Sequence, residues 1–339
     1  MSGSVAIAGA SLGTQLQQLL MADDIVPGAD ASYQVCKTIY LYHPMGGKMV
    51  DTPISLAQSQ PRTLSIPDGP EDMVRDQFLR EWDNLRADQH IATAMSLART
   101  YGIGTLALGA VGVPVNEPID FATLARQEIF ISTFDPLNTA GSLVLNQDPM
   151  SPDFQKVSSV AVAGQAWHRS RVVVVMNERP IYIAYTGSAF GYVGRSVFQR
   201  ALYPLKSFIS TMVTDDMVAR KAGLLIAKMK PAGSVVDRIM QRMFAIKRQM
   251  LKDGETDNVL GITPDESIES LNLQNIDGAG KFARDNIITN IALAADMPAK
   301  LLNEETFAEG FGEGTEDAAK IVRYVKSVRE AMAPLYAFM

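Results

Sequence analysis

Apolar positions along this chain change period several times, and each change predicts an element. The most regular pattern lies between Gly194 and Lys230. There Val197, Phe198, Ala201, Leu202, Leu205, Phe208, Ile209, Met212 and Val213 recur every three or four residues, which draws a stripe along one side of a helix. Pro204 falls inside the stripe. It has no backbone N–H to give, so the pattern predicts a short helix, a break or kink, and a longer helix from about Pro204 to Ala222. At 1.5 Å per residue that helix would run roughly 28 Å. Gly223 would end it, and Leu224 to Met229 then alternates as a strand does.

Upstream, Met1 to Asp30 is rich in small residues, with a weak helical patch at Leu16, Leu19 and Leu20, and reads as an arm or a partly disordered leader. Gln34 to Gln58 reads as helix, a break at Pro44, Gly46 and Gly47, then helix. Gln60 to Pro70 carries Pro61, Pro67 and Pro70 and reads as an extended linker. Pro70, Glu71 and Asp72 open a helix towards Asn84, with proline and acids in the first turn. A second helix runs from Ala87 to Thr100 and stops at Tyr101-Gly102. Ile103 to Asp153 is β-like, with short apolar runs separated by Gly, Pro and Asn. Val157 to Val162 and Arg171 to Met176 read as strands, the latter so continuously apolar that both its faces should be covered.

Downstream, Ser234 caps an amphipathic helix from Val235 to Leu251. Asn258 to Ile262 and Ser267 to Leu273 read as strands joined at Thr263-Pro264-Asp265. Asp277 or Gly278 opens a helix from Ala279 to Asp296, closed by Pro298. Met297 to Glu316 is a loop holding Gly310, Gly312 and Gly314, and a last helix starts at Thr315 or Glu316. The fold class predicted is α+β.

Composition narrows the function. The chain has 339 residues, 47% of them hydrophobic, and a net charge of −6. It can bury a core, but it lacks the cationic balance with which proteins grip nucleic acid tightly. One cysteine, Cys36, rules out a disulfide framework. The N-terminus lacks the basic start of a signal peptide. The longest apolar run, Ile103 to Val115, is too short and Gly-rich to span a bilayer, so no membrane partner is expected. The C-terminal run, Val328 to Met339, is apolar and uncapped, as in a longer natural chain or a docked terminus.

Charge is unevenly spread. Arg195 to Lys252 holds twelve Lys and Arg against Asp215, Asp216 and Asp237; Asp253 to Asp317 holds fifteen acids against Lys281, Arg284 and Lys300. These are either solvated faces or a basic element of one subunit meeting an acidic element of the next.

Catalytic constellations are hard to find. Gly46-Gly47-Lys48-Met49 lacks the first Gly and the final hydroxyl of a phosphate loop. Gly102 and Gly104 lack the rest of a dinucleotide fingerprint. His43, His90 and His168 have no ligand spacing, and His168-Arg169-Ser170 stands as a single H-x-S. Trp82 and Trp167 read as core or interface. No metal, cofactor or catalytic residue is expected.

Four segments in order carry a resemblance: KMVDTPISLA (48–57), ATAMSLARTYGIGTLALG (92–109), WHRSRVVVV with GRSVFQRALYPL (167–175 and 194–205), and AADMPAKLLNEETFAEGFGEGTEDAAKIVRYV (294–325). From about Gln34 onward the chain resembles the portal proteins of tailed bacteriophages, in particular a phage-like portal family. The loop after Leu302 is more acidic than that motif requires.

The resemblance implies a portal fold with an α/β wing, a two-helix stem, a small α/β clip and a tunnel loop. On this chain it implies an arm at 1–33, a wing at 34–203, stem helices at 204–222 and 277–297, a clip at 223–276, a tunnel loop at 298–315, and a helix at 316–339 returning towards wing or crown. The family implies a ring, typically about twelve copies, at one capsid vertex of the virion, assembled in the host cytoplasm. Its implied partners are double-stranded DNA in the channel, a terminase motor, a head–tail adaptor, and major capsid or scaffolding protein. Asn303, Glu304, Glu305, Phe307, Glu309, Phe311 and Glu313 would line the channel. Arg238, Arg242, Lys247 and Arg248 would face a clip partner or the DNA entrance. Phe208, Met212, Arg220, Lys221 and Asp285 would make stem contacts between subunits. A structural ring or adaptor of a phage-like particle, and a phosphodiester-cleaving enzyme, are the alternatives.

Overall fold

The computed structural model describes residues 14–60, 72–124, 126–139, 143–146, 148–154, 156–162, 165–178, 194–221, 225–228, 267–270, 274–303 and 313–339. The chain divides into two compact units, Met1–Lys206 with Ile288–Met339, and Ser207–Ile287.

The first unit opens with α1 (Gln15–Met21), α2 (Tyr33–Tyr42), α3 (Pro44–Gln58), α4 (Asp72–Asn84) and α5 (Ala87–Tyr101). Strand β1 (Ile103–Ala110) follows at once, because Gly102 adopts φ +94° and reverses the chain after α5. A Cβ on Gly102 would also lie 1.9 Å from the carbonyl oxygen of Gly194, so the two glycines mark a backbone crossing. Next come α6 (Phe121–Leu124), β2 (Ile129–Phe134), α7 (Pro136–Thr139), β3 (Leu143–Leu145), β4 (Val157–Val162), β5 (Gln165–Trp167) and β6 (Val172–Met176). Three-residue β5 is too short to show a period, and the sequence pattern misses it.

Two antiparallel sheets form, ordered β2-β1-β6 and β3-β4-β5. β1 is central in the first and buried along its whole length. Its alternate residues serve two cores. Leu106 and Leu108 pack with Ile91, Met95, Val328, Met332 and Leu335, under helices α3, α5 and the C-terminal helix. Ile103 and Ala107 pack with Val160, Val162 and Trp167 of the second sheet. Gly104 lets α5 lie directly on β1, since a Cβ there would sit 2.0 Å from the Ala94 carbonyl oxygen. Thr105 is fully buried, and its hydroxyl has no hydrogen-bond partner among the described residues.

Residues 14–33 do not stand off as an arm. Leu19 and Ile25 are buried, Lys206 Nζ donates to the Ala22 carbonyl at 2.5 Å, and Gln199 bonds Ala29, Asp30 and Ala31. The predicted interruption between two helices is present, but it falls at His43, just before Pro44, and Gly46 and Gly47 lie inside α3. His43 alone separates α2 from α3, accepting the Met45 N–H at Nδ1 as the cap of α3, and Pro44 takes the first helical position. Gly46 is there for packing: a Cβ would meet the Ile39 carbonyl oxygen at 2.2 Å, so α2 and α3 touch through it.

The predicted break at Pro204 is absent. Residues 197–201 form turns, and α8 (Leu202–Lys221) starts just before the proline. In a first helical turn the missing N–H has no intrahelical acceptor to lose. α9 (Gln274–Ala294) begins earlier than predicted and ends before Pro298. Asp296 takes φ +54°, and the Met297 N–H reaches back to the Ala292 carbonyl at 2.9 Å, a Schellman closure with Asp in the glycine position. Pro298 instead precedes the short α10 (Ala299–Leu302). The last helix, α11 (Glu313–Phe338), takes Glu313 and Gly314 from the predicted loop.

The second unit holds most of α8, the start of α9, and the antiparallel pair β7 (Leu225–Lys228) and β8 (Ser267–Ser270), with Ile226 opposite Glu269. The predicted helix at 235–251 and strand at 258–262 lie outside the described residues, as does the Gln60–Pro70 linker apart from Gln60 itself.

Candidate functional site

The residues expected to act are only partly within view. Glu304, Glu305, Phe307, Glu309 and Phe311 lie outside the described residues, as do Arg238, Arg242, Lys247 and Arg248. Glu313 opens α11, and Arg220 and Lys221 close α8. Asn303 follows α10, where its N–H bonds the Ala299 carbonyl.

In the second unit, Phe208 is half-buried on α8, whereas Met212 and Val213 are exposed on the same helix. Phe282 on α9 is 70% exposed, a large aromatic in water. Asp285 is exposed. An ion pair between Arg284 and Asp215 ties the two helices. It joins the minority charge of the acidic segment to a minority charge of the basic one.

The first unit contains a cleft of about 460 Å³ that sequence reasoning did not find. Its charged lining is Arg99, Glu178, Arg195, Arg200 and Asp296, with Tyr324 beside Arg99. Arg195 pairs with Glu178 at 2.8 Å; Arg200 reaches Glu178 at 3.6 Å and Asp296 at 3.8 Å. Arg99 is different. It is 6% exposed and makes no ion pair among the described residues. Its Nε and Nη2 donate to the Met49 carbonyl at 3.2 and 2.7 Å, and Nη2 also donates to the Tyr324 hydroxyl at 2.9 Å. Burial raises the Tyr324 pKa, and the Arg99 charge opposes that rise.

The Met49 carbonyl is open to Arg99 for a reason visible in the sequence. In α3 its partner four residues on would be the N–H of residue 53, and that residue is Pro53. A buried helix carbonyl without a donor is costly, and the guanidinium supplies two. Pro53 inside an apolar helical pattern is the signal that points to a nearby donor.

His43 is 3% exposed. Because Nδ1 accepts from the Met45 N–H, the ring proton sits on Nε2 and is donated to the Leu205 carbonyl at 3.1 Å. Burial pushes its pKa down to about 4. His168 caps the turn at Arg169–Arg171, with Nδ1 3.2 Å from the Ser170 N–H and 2.8 Å from its hydroxyl. The H-x-S is a local cap. Among the described residues no His, Cys, Asp and Glu group is placed to hold a metal, and no helix is long and apolar enough to cross a membrane.

Comparison with known proteins gives an extended family match. The family model described as "Phage portal protein" matches residues 34–339. Among solved structures, the chain is similar to an HK97 family phage portal protein from Corynebacterium diphtheriae, with 11% identity, 83% of this chain and 81% of that one covered, and a TM-score of 0.37. No curated protein matches.

Proposed function

The chain belongs to the phage portal protein family, and from that premise we propose that it forms the DNA channel of a phage head and the platform on which the packaging motor and head–tail connector dock. The family implies a multimeric ring in the phage capsid and is structural rather than catalytic. The observation that carries the reading is the family match across residues 34–339.

Charge supports the channel role. A conduit for duplex DNA works only if it does not hold what passes through it. Each phosphate neutralised by a Lys or Arg releases counterions and strengthens binding. The segment 303–314 carries Glu304, Glu305, Glu309 and Glu313 and no basic residue. Repeated around a ring, it makes a repulsive collar. Phe307 and Phe311 add apolar contact without reading sequence, and Gly310 and Gly312 let the collar yield. Arg238, Arg242, Lys247 and Arg248 attract DNA weakly at the entrance or meet an acidic partner. The stem surfaces at Phe208, Met212, Arg220, Lys221 and Asp285 contact the neighbouring copy.

Replacing Glu309 and Glu313 together by Lys tests the collar in a packaging assay. Slower packaging or retained DNA after ejection is expected. Wild-type packaging and normal ejection by the double variant would sink it.

A further inference from the structure

Arg99 combines three properties. It is almost wholly buried, it lines a cleft, and it has no carboxylate partner among the described residues. Removing a guanidinium from water without a counter-charge is expensive. The Met49 carbonyl, the Tyr324 hydroxyl and the Met297 sulfur use Nε and Nη2. Of the five N–H donors of a guanidinium, the two on Nη1 make no hydrogen bond among the described residues.

We propose that this cleft is a binding site for a carboxylate side chain carried by an acidic segment of a protein partner, with Nη1 of Arg99 as its deep anchor and Arg200 as its clamp at the mouth. Arg200 is suited to the second role. Its pairs with Glu178 and Asp296 are long, at 3.6 and 3.8 Å, and its side chain is 45% exposed. Exposed pairs of this kind contribute little, so an arriving carboxylate can exchange for them. Asp296 is pinned in its left-handed position by the α9 closure, which keeps one carboxylate at the rim whether or not the cleft is filled.

Charge selects a single carboxylate over a nucleic-acid backbone. The lining carries three arginines and two acids, so it has room for one extra negative charge. Glu178 and Asp296 would repel the remaining phosphates of a duplex, and the chain as a whole is net −6.

The test is fluorescence anisotropy of labelled decaglutamate against the full chain at low salt, with a short DNA duplex as a second probe. Two variants isolate the cleft. Arg99→Lys keeps the charge but loses the planar fork. Ala331→Trp fills the cleft and leaves Arg99 and its bond to Met49 in place, so it decides the matter if Arg99→Lys fails to fold. The expected result is saturable decaglutamate binding, weakened about tenfold in both variants. The proposal is overturned by no saturable binding, by decaglutamate binding unchanged in Ala331→Trp, or by duplex binding that depends on the same cleft.

Discussion

At the residue scale, buried polar groups record what the surrounding backbone needs. Arg99 fills the carbonyl vacated by Pro53, and His43 caps α3 while holding the start of α8 through Leu205. The histidine has a consequence for stability. Its folded pKa, about 4, lies below the ordinary 6.5. The unfolded chain therefore takes up the proton first as pH falls. The contribution of His43 is complete above pH 6.5 and is lost between there and pH 4. At 1.36 kcal/mol per pKa unit, the loss amounts to about 3 kcal/mol. Melting curves across this window should fall steeply for the native chain and be flatter for His43→Gln, whose amide can still donate to Leu205. An equal pH slope in both would refute the assignment.

At the scale of elements, the sequence reveals what periodicity can carry. The long α8 follows from apolar spacing, α4 from the proline and acids at its start, and β1 from its place in the longest apolar run. Gly and Pro mislead where the sequence cannot show which neighbour approaches. Gly46 and Gly47 look alike as helix breakers, and both lie within α3. Their surroundings differ. A Cβ at Gly46 meets backbone of α2 at 2.2 Å, whereas at Gly47 the nearest atom is an Asp51 carboxylate oxygen at 3.6 Å. Gly46→Ala should thus destabilise by about 3 kcal/mol through overpacking. Gly47→Ala should stabilise by about 0.5–1 kcal/mol through helix propensity. Denaturant midpoints of the two variants check the pair, and shifts of the same sign would contradict the α2–α3 packing. The cleft was illegible for the same reason. Arg99, Glu178, Arg200 and Asp296 are far apart in sequence, and only the fold brings them together; Pro53 was the single local hint.

At the scale of the whole molecule, the family match and the charge distribution point the same way. A net acidic chain with a basic and an acidic segment is poorly made for gripping DNA. It is well made for neighbours that present different surfaces to each other, as subunits of a closed ring do. Arg284 and Asp215 pair within one chain, using minority charges and leaving each segment's dominant sign intact. Exposed Met212, Val213 and Phe282 add apolar surface on the same helices. The most direct test of the account is the mass and shape of the purified full chain, by native mass measurement with negative-stain imaging. The account predicts a closed ring of about a dozen copies. A monomer at micromolar concentration, with no rings in the images, would contradict it.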